Sequence, residues 1–169
     1  MNNWIYTDGA PFICATPSTR KLWRGVQGTS VGASESDYDR VCEATGYLST
    51  LACGPFQVLA LGDEPAQATF LLTPNGPIIA RWIACDSMEL ADAVLARIPG
   101  TLPHLQPPVR FQLNEPEMWM FDSSFDGASA SSAELTLGVP LGNFDVTTES
   151  YREGTAFEFW LHRFVQTSA

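Results

Sequence analysis

Four pairs of closely spaced acidic residues are the first candidates for a catalytic or binding role in this sequence. The pairs are Asp37/Asp39, Asp63/Glu64, Glu115/Glu117 and Asp122/Asp126. Two carboxylates that meet in space could bind a metal ion or divide general acid and base roles. All four pairs, however, lie at predicted turns, helix starts or loops, where acids cap backbone amides and face water. We therefore interpret them first as structural or solubilising residues, second as partner contacts and last as catalytic groups.

The two histidines offer no clear catalytic arrangement. His104 lies in a proline-rich connector, and His162 lies within a predicted strand near the C-terminal end of the sequence. A catalytic histidine needs an acidic partner and usually a nucleophile within hydrogen-bond reach. The sequence contains no GxSxG, HExxH, recognised cysteine-nucleophile or phosphate-binding motif. We expect both histidines to be structural. Neither is expected to bind a metal, because a metal site needs three or four ligands. No cofactor is expected.

The cysteines and the apolar runs indicate the cellular compartment in which the protein is expected to be found. Cys14, Cys42, Cys53 and Cys85 are not spaced as CxxC pairs, so we expect reduced, mostly buried thiols. The N-terminal residues do not have the pattern of a signal peptide, and no apolar run reaches the roughly 20 residues that a membrane helix needs. These patterns predict a cytoplasmic protein.

The charge of the chain narrows the choice of partners. Nineteen acidic residues stand against nine basic ones, giving a formal net charge of −10. Such a surface repels nucleic acid and anionic lipid, so direct DNA, RNA or membrane binding is disfavoured. It would attract a basic protein. The alternative is that the acidity only keeps the protein soluble.

The predicted secondary structure consists mainly of strands, organised around residues 54–82. The unbroken apolar run 58–61 predicts a strand covered on both faces. Residues 68–73 and 78–84 predict a hairpin, whose connection, Thr73-Pro74-Asn75-Gly76-Pro77, is typical of a three-residue loop with a bulge.

Two helices are predicted. The longer one covers about 86–98, with Asp86 as its N-cap, and its apolar residues form a single stripe that should lie on a sheet. The shorter one covers about 37–45, with Ser36 as its N-cap. Between a helical turn at 17–23 and the shorter helix, the Gly/Ser-rich residues 26–35 predict a mobile loop.

The remaining strands are predicted from alternating or continuous apolar residues. They comprise a first hairpin formed by 4–7 and 10–15, single strands at 47–53, 109–113 and 117–121, and a C-terminal meander formed by 135–139, 144–151 and 155–166. The four prolines of 99–108 predict a stiff connector, and the last strand should be central or covered. The sequence thus predicts one α+β domain over 1–169, predominantly antiparallel β, as a twisted sheet or sandwich-like meander.

Several segments, in order along nearly the whole chain, carry a family likeness. They are Trp4-Ile5, Asp8-Gly9-Ala10-Pro11, Leu22-Trp23-Arg24-Gly25 with its WxG pattern, Asp37-Tyr38-Asp39-Arg40-Val41-Cys42, Val58-Leu59-Ala60-Leu61-Gly62-Asp63-Glu64-Pro65, Thr69-Phe70-Leu71, Arg81-Trp82, Leu141-Gly142-Asn143-Phe144-Asp145-Val146 and Leu161-His162-Arg163-Phe164. On these segments the chain resembles immunity protein 21, a family of bacterial polymorphic toxin systems.

The resemblance implies a mainly β antitoxin without enzymatic residues, which neutralises a cognate secreted toxin by direct binding in the producer's cytosol. The toxin domain is expected to be basic, with a nuclease or another nucleic-acid- or nucleotide-targeting effector as one candidate. The candidate partner contacts are Trp23, Asp37, Tyr38, Asp39, Asp63, Glu64, Glu115, Glu117, Asp122 and Asp126. Trp23 is the tryptophan expected to be partly exposed.

Two alternatives stay open at this point. One is a general ligand-binding or scaffold domain unrelated to toxins. The other is a small carboxylate-based enzyme, which would need a deep pocket with two convergent acids whose pKa values are pushed apart.

Overall fold

Two antiparallel sheets form most of the fold. The structure, a computed structural model, describes residues 2–62, 64–130, 135–138 and 140–167. The first sheet contains, in spatial order, β1 (Ile5–Tyr6), β5 (Gln67–Thr73), β6 (Gly76–Cys85), β11 (Phe157–Gln166), β10 (Gly142–Glu153) and β7 (His104–Leu113). The second contains β3 (Leu48–Cys53), β4 (Phe56–Leu61), β2 (Phe12–Ala15), β8 (Glu117–Asp122) and β9 (Leu135–Gly138). The predicted α+β class with predominantly antiparallel strands is confirmed.

The helices are short, and serine side chains cap the N-termini of α2 and α3. They are α1 (Pro17–Arg20), a 3-10 helix (Gly25–Gln27), α2 (Asp37–Cys42) and α3 (Met88–Leu95). Ser36 caps α2 in a capping box with Asp39, as predicted for its start, but the helix ends before the predicted residue 45. The cap of α3 is Ser87, whose hydroxyl accepts a hydrogen bond from the Leu90 amide at 3.1 Å, and not Asp86.

The main core lies between the two sheets. It joins residues of the second sheet, such as Leu59 and Met120, to residues of the first, such as Ile79 and Phe164. The outer face of the first sheet is covered by α3. That of the second sheet is covered by α2 and by Leu22-Trp23-Arg24-Gly25, which we call the Trp23 segment. Because both sheets are covered on two faces, their central strands carry apolar residues on both faces.

The central strands confirm the apolar-run predictions. In β4, Leu59 and Leu61 face the core between the sheets, whereas Val58 and Ala60 face α2. In β8 the two methionines face the inner core, and Trp119 and Phe121 face the opposite side. The last strand, β11, lies between β6 and β10 and is therefore central, as expected.

The β5–β6 hairpin is also confirmed, with a small difference in its loop. Thr73 pairs with Gly76, so only Pro74 and Asn75 separate the paired residues, one fewer than predicted. Gly76 has the expected left-handed backbone, with φ at 105°.

Two strand pairings predicted from sequence neighbours are wrong. β1 and β2 do not form a hairpin: β1 pairs with β5 in the first sheet, and β2 pairs with β4 and β8 in the second. The predicted C-terminal meander is also wrong in part. Its first strand, β9, pairs with β8 in the second sheet, whereas β10 and β11 pair with each other as predicted. All four residues of β2 are buried, so this strand needs neighbours on both sides. A local turn signal cannot supply that information.

The predicted connector over 99–108 is wrong in its second half. Strand β7 begins at His104 and includes Pro107 and Pro108. It is an edge strand of the first sheet, and its register with β10 shifts between Val146 and Thr148. An edge strand with a bulge tolerates prolines because their missing N–H groups need no partner on the open side.

Candidate functional site

Three chain segments meet at one end of the second sheet. Phe12 pairs with Leu61 on one side and with Asp122 on the other, so the start of β2 lies beside the ends of β4 and β8. The turn before β2 carries Asp8, the turn after β4 carries Glu64, and the loop after β8 carries Asp126. We call Asp8, Glu64, Asp122 and Asp126 the acidic end.

A concave surface of about 450 Å³ opens at the acidic end. It is lined chiefly by Tyr6, Asp8, Tyr38, Asp122, Ser124 and Phe125. Tyr6 is 51% exposed and Phe125 is 47% exposed, whereas Tyr38 is half-buried. We call this surface the Tyr6–Phe125 concavity. Of its residues only Tyr38 and Asp122 were candidates from sequence; the exposure of Tyr6 and Phe125 had no sequence signal.

The loop that carries Phe125 is docked on the Trp23 segment. The Trp23 Nε1 donates to the Ser123 carbonyl oxygen at 2.9 Å. The Val26 amide donates to the Ser124 carbonyl at 3.2 Å, and the Gly127 amide donates to the Trp23 carbonyl at 2.9 Å. The loop after β8 is thus held by one side-chain-to-backbone and two backbone hydrogen bonds.

The prediction that Trp23 is partly exposed is wrong. Its side chain is fully buried beside Ile13, Val58 and Phe121. The indole N–H finds a carbonyl partner inside, which removes the usual reason for a tryptophan to keep one edge in water. Trp23 therefore supports the loop after β8 from inside the fold, with its side chain covered.

Gly25 allows this docking. Its φ is 55°, and a Cβ there would lie 2.5 Å from the Phe125 carbonyl oxygen and would also overlap that of Ser124. Only glycine combines the left-handed backbone with such a close approach. The Leu22-Trp23-Arg24-Gly25 segment therefore packs against and holds the loop that carries Phe125 and Asp126, which we call the acidic loop.

Asp37 is likewise an internal residue. It is fully buried, and its carboxylate accepts from the Arg24 amide at 2.9 Å, from the Ser30 amide at 3.0 Å and from Arg40 Nη1 at 2.7 Å. The Ser30 contact ties the predicted mobile loop to α2. A carboxylate used in this way holds the fold together and is not presented to a partner. Its neighbour Asp39 is exposed.

The remaining candidates at the acidic end are accessible to different degrees. Asp122 is 6% exposed, and its Oδ1 accepts from the Ser124 amide at 2.8 Å. Asp126 is half-buried and lies 3.4 Å from Arg24 Nε. A hydrogen bond with the Cys42 thiol, burial, and the carboxylates of Asp122 and Asp39 raise the pKa of Tyr38. Asp63 lies outside the described residues.

Glu64 projects from a turn that a buried arginine holds. It is exposed, while Arg81, which is fully buried, donates to the Gly62 carbonyl at 2.8 Å and to the Pro65 carbonyl at 3.1 Å. The Arg81 guanidinium also lies 5.2 Å from the Phe12 ring centroid. Sequence reasoning missed this role; the signal was a single arginine inside the apolar run of β6.

Glu115 and Glu117 lie at the opposite end of the second sheet. Glu117 begins β8, whose first paired contacts with β2 involve Ala15, the last residue of that strand. The Glu115 carboxylate accepts from the Ser18 amide at 2.9 Å and from the Ser18 hydroxyl at 2.8 Å, and so caps α1. The structure therefore does not bring this pair to the acidic end.

Replacement of Glu115 is expected to change the acid sensitivity of the fold. Hydrogen bonds from Thr16 and Ser18 lower the pKa of Glu115 from its ordinary 4.5. A lowered folded-state pKa means that its stabilising contribution is full above pH 4.5 and is lost as the pH falls through the folded value. Urea unfolding between pH 3 and 7 should therefore show a flatter acid decline for Glu115→Gln.

Glu117→Gln is the matched control for this experiment, because in the described part of the chain its carboxylate caps no helix. If both variants decline as steeply as the wild type below pH 4.5, the helix-capping role of Glu115 is wrong.

The two histidines and the four cysteines differ in burial. His162 is fully buried with Nδ1 3.0 Å from the Thr148 hydroxyl, and burial together with Arg81 lowers its pKa to about 3. His104 is exposed. Cys14 and Cys53 are buried, Cys42 is exposed, and all four thiols are free. Among the described residues, no three His, Cys, Asp or Glu side chains are grouped to hold a metal ion, and no helix has the length and apolar character to cross a membrane.

A family model supplies the identification. The model of immunity protein 21 matches residues 3–156 of the chain. The chain belongs to the immunity protein 21 family. Membership implies an immunity protein and suggests an inhibitor, not an enzyme. No curated protein and no solved structure shows a significant match. In this family member the tryptophan of the WxG segment is buried and donates to the loop after β8, and the Gly62 and Pro65 carbonyls of the Leu-Gly-Asp-Glu-Pro segment accept from Arg81.

Proposed function

We propose that this chain is a cytoplasmic immunity protein that binds a cognate toxin domain directly and neutralises it by covering the toxin's active site or substrate channel. Family membership is the single observation that carries the proposal. The acidic end supplies a surface for the contact, because it gathers carboxylates from three separate parts of the chain beside exposed aromatic rings.

The charge of this surface favours a basic toxin. The chain has a net charge of −10, so a positively charged partner would be drawn to it over long range. Enzymes that act on nucleic acids or nucleotides carry basic surfaces to bind phosphates. A toxin of that class would present its working surface to the acidic end, which fits the proposed blocking mode.

The test is co-expression with the protein encoded by the adjacent gene. We expect that protein to arrest growth alone, and this chain to restore growth and to co-purify with it. In stopped-flow mixing, the association rate should fall as the salt concentration rises, because ions screen the attraction over about a Debye length. Continued growth arrest despite co-expression, with no co-purification, would contradict the proposal.

Two double variants test whether the association rate depends on the charges of the acidic end or on the net charge of the chain. Asp8→Asn/Glu64→Gln removes two exposed charges from the acidic end, and Asp86→Asn/Glu153→Gln removes two exposed charges elsewhere. The first variant should slow association by about tenfold, and the control by about twofold at most, because steering depends on where the charge lies. Equal slowing would place the contact elsewhere on the surface.

A further inference from the structure

The Tyr6–Phe125 concavity is lined by aromatic and acidic side chains, a combination that favours a flat organic cation. Three aromatic side chains border it: Tyr6 and Phe125, each about half-exposed, and Tyr38, which is half-buried. The carboxylates of Asp8 and Asp122 border the same space. Aromatic faces beside carboxylates attract a flat organic cation, since the ring face and the carboxylate are both negative.

No basic side chain of the described residues lines the concavity. Arg24 belongs to the segment that holds the docked loop, and its Nε lies 3.4 Å from Asp126, which does not line the concavity. The concavity is therefore bordered by the exposed Asp8 and the largely buried Asp122, and no described basic side chain lines it. The raised pKa of Tyr38, caused by its hydrogen bond with Cys42, by burial and by Asp122 and Asp39, is consistent with negative charge at this position.

The carboxylate of Asp122 is oriented before any ligand arrives. Its Oδ1 accepts from the Ser124 amide at 2.8 Å and from the Ser124 hydroxyl at 2.6 Å. The strand pairing of Asp122 with Phe12 holds its backbone in place. A preoriented acceptor loses little entropy when a cation binds, so less of the interaction energy is spent on ordering it.

We propose that the Tyr6–Phe125 concavity binds the guanidinium group of an arginine side chain presented by the toxin. The identity of the partner rests on the proposed function; the chemistry of the ligand does not. Arginine fits better than lysine because its planar group stacks on aromatic faces while donating to a carboxylate. The volume of about 450 Å³ admits one such side chain together with its alkyl stem.

The ligand chemistry can be tested without the toxin. The full-length ¹⁵N-labelled protein is titrated with N-acetyl-arginine amide, and in parallel with N-acetyl-citrulline amide, its neutral analogue of the same shape. We expect saturable amide shifts at residues 6–10, at Tyr38 and at 124–125 with the arginine probe, and an affinity for citrulline lower by about tenfold or more. Equal shifts with both probes, or shifts scattered over all acidic surfaces, would overturn the proposal.

The same site is then tested in the complex. Phe125→Ala and Tyr6→Ala should each raise the dissociation constant for the adjacent-gene protein by about tenfold to a hundredfold, as central aromatic anchors do. Leu72→Ala is the control, since Leu72 is 71% exposed and lies outside the concavity. Asp8→Asn should weaken binding, and Asp8→Glu should restore part of it.

The two levels of failure are separable. If the wild type binds and neutralises the adjacent-gene protein but Phe125→Ala and Tyr6→Ala match Leu72→Ala, the arginine site is wrong and the proposed function stands. If the wild type does not bind that protein but the arginine probe still shifts the named amides and citrulline does not, the proposed function is wrong and the site stands.

Discussion

Gly25→Ala is expected to lower the free energy of unfolding by about 3 kcal/mol or more. The residue has a φ of 55°, which an alanine adopts only with strain, and the added Cβ would meet the Phe125 carbonyl oxygen at 2.5 Å. Because that neighbour is backbone, it cannot rotate away as a flexible side chain would. The docked loop must move, so the variant should also lose the geometry of the Tyr6–Phe125 concavity. Urea unfolding followed by tryptophan fluorescence measures the first effect.

Gly32→Ala is the matched control for this prediction. Gly32 has a similar φ of 70°, but no atom lies within 4 Å of the position that a Cβ would take. The substitution therefore imposes the backbone strain alone, which costs about 1 kcal/mol. Equal losses in the two variants would mean that the contact between Gly25 and the acidic loop contributes nothing.

Arg163→Met is expected to lower the free energy of unfolding by about 3–5 kcal/mol. Arg163 and Glu149 are both almost fully buried, and Arg163 Nη2 lies 2.9 Å from Glu149 Oε2. The same nitrogen donates to the Pro99 carbonyl at 3.1 Å, which ties the segment after α3 to the first sheet. Removal of the guanidinium leaves a buried carboxylate with the Thr147 hydroxyl at 3.0 Å and His104 at 3.9 Å. Neither Thr147 nor His104 replaces the two hydrogen bonds that Arg163 Nε and Nη2 donate to the Glu149 carboxylate.

The exposed pair Arg110 and Asp145 provides the control. Its closest approach is 3.4 Å, but the Arg110 side chain is 88% exposed. Arg110→Met should change the free energy of unfolding by no more than about 0.5 kcal/mol, because water already solvates both charges. In the buried pair, Glu149→Gln/Arg163→Met should lose less than the sum of the two single changes. Strict additivity would contradict the coupling.

The strands of the fold were largely predictable because burial on two faces leaves a clear pattern. The apolar run 58–61 lies within β4, and the apolar residues of β11 lie in the centre of the first sheet. Strand partners were not predictable in the same way. Residues 4–7 and 10–15 flank a glycine turn, yet β1 and β2 enter different sheets. Pairing depends on which edges are free once the core has formed, and that is not written in the local sequence.

The candidate site divides along similar lines. The acidic pairs were visible in the sequence, but the structure separates Glu115 and Glu117 from the acidic end and buries Asp37. It also adds Tyr6 and Phe125, whose exposure no periodicity indicates. Whether a carboxylate faces water or backbone amides depends on segments far away in the chain.

The secondary-structure class, the excess of negative charge and the family follow from the residue types and their order along the chain. The neighbours of each strand, the exposure of each acid and the aromatic rings that meet the acids at one concave surface are properties of the fold. These properties arise when distant segments bury a common core, so they belong to the folded chain and not to any single stretch of it.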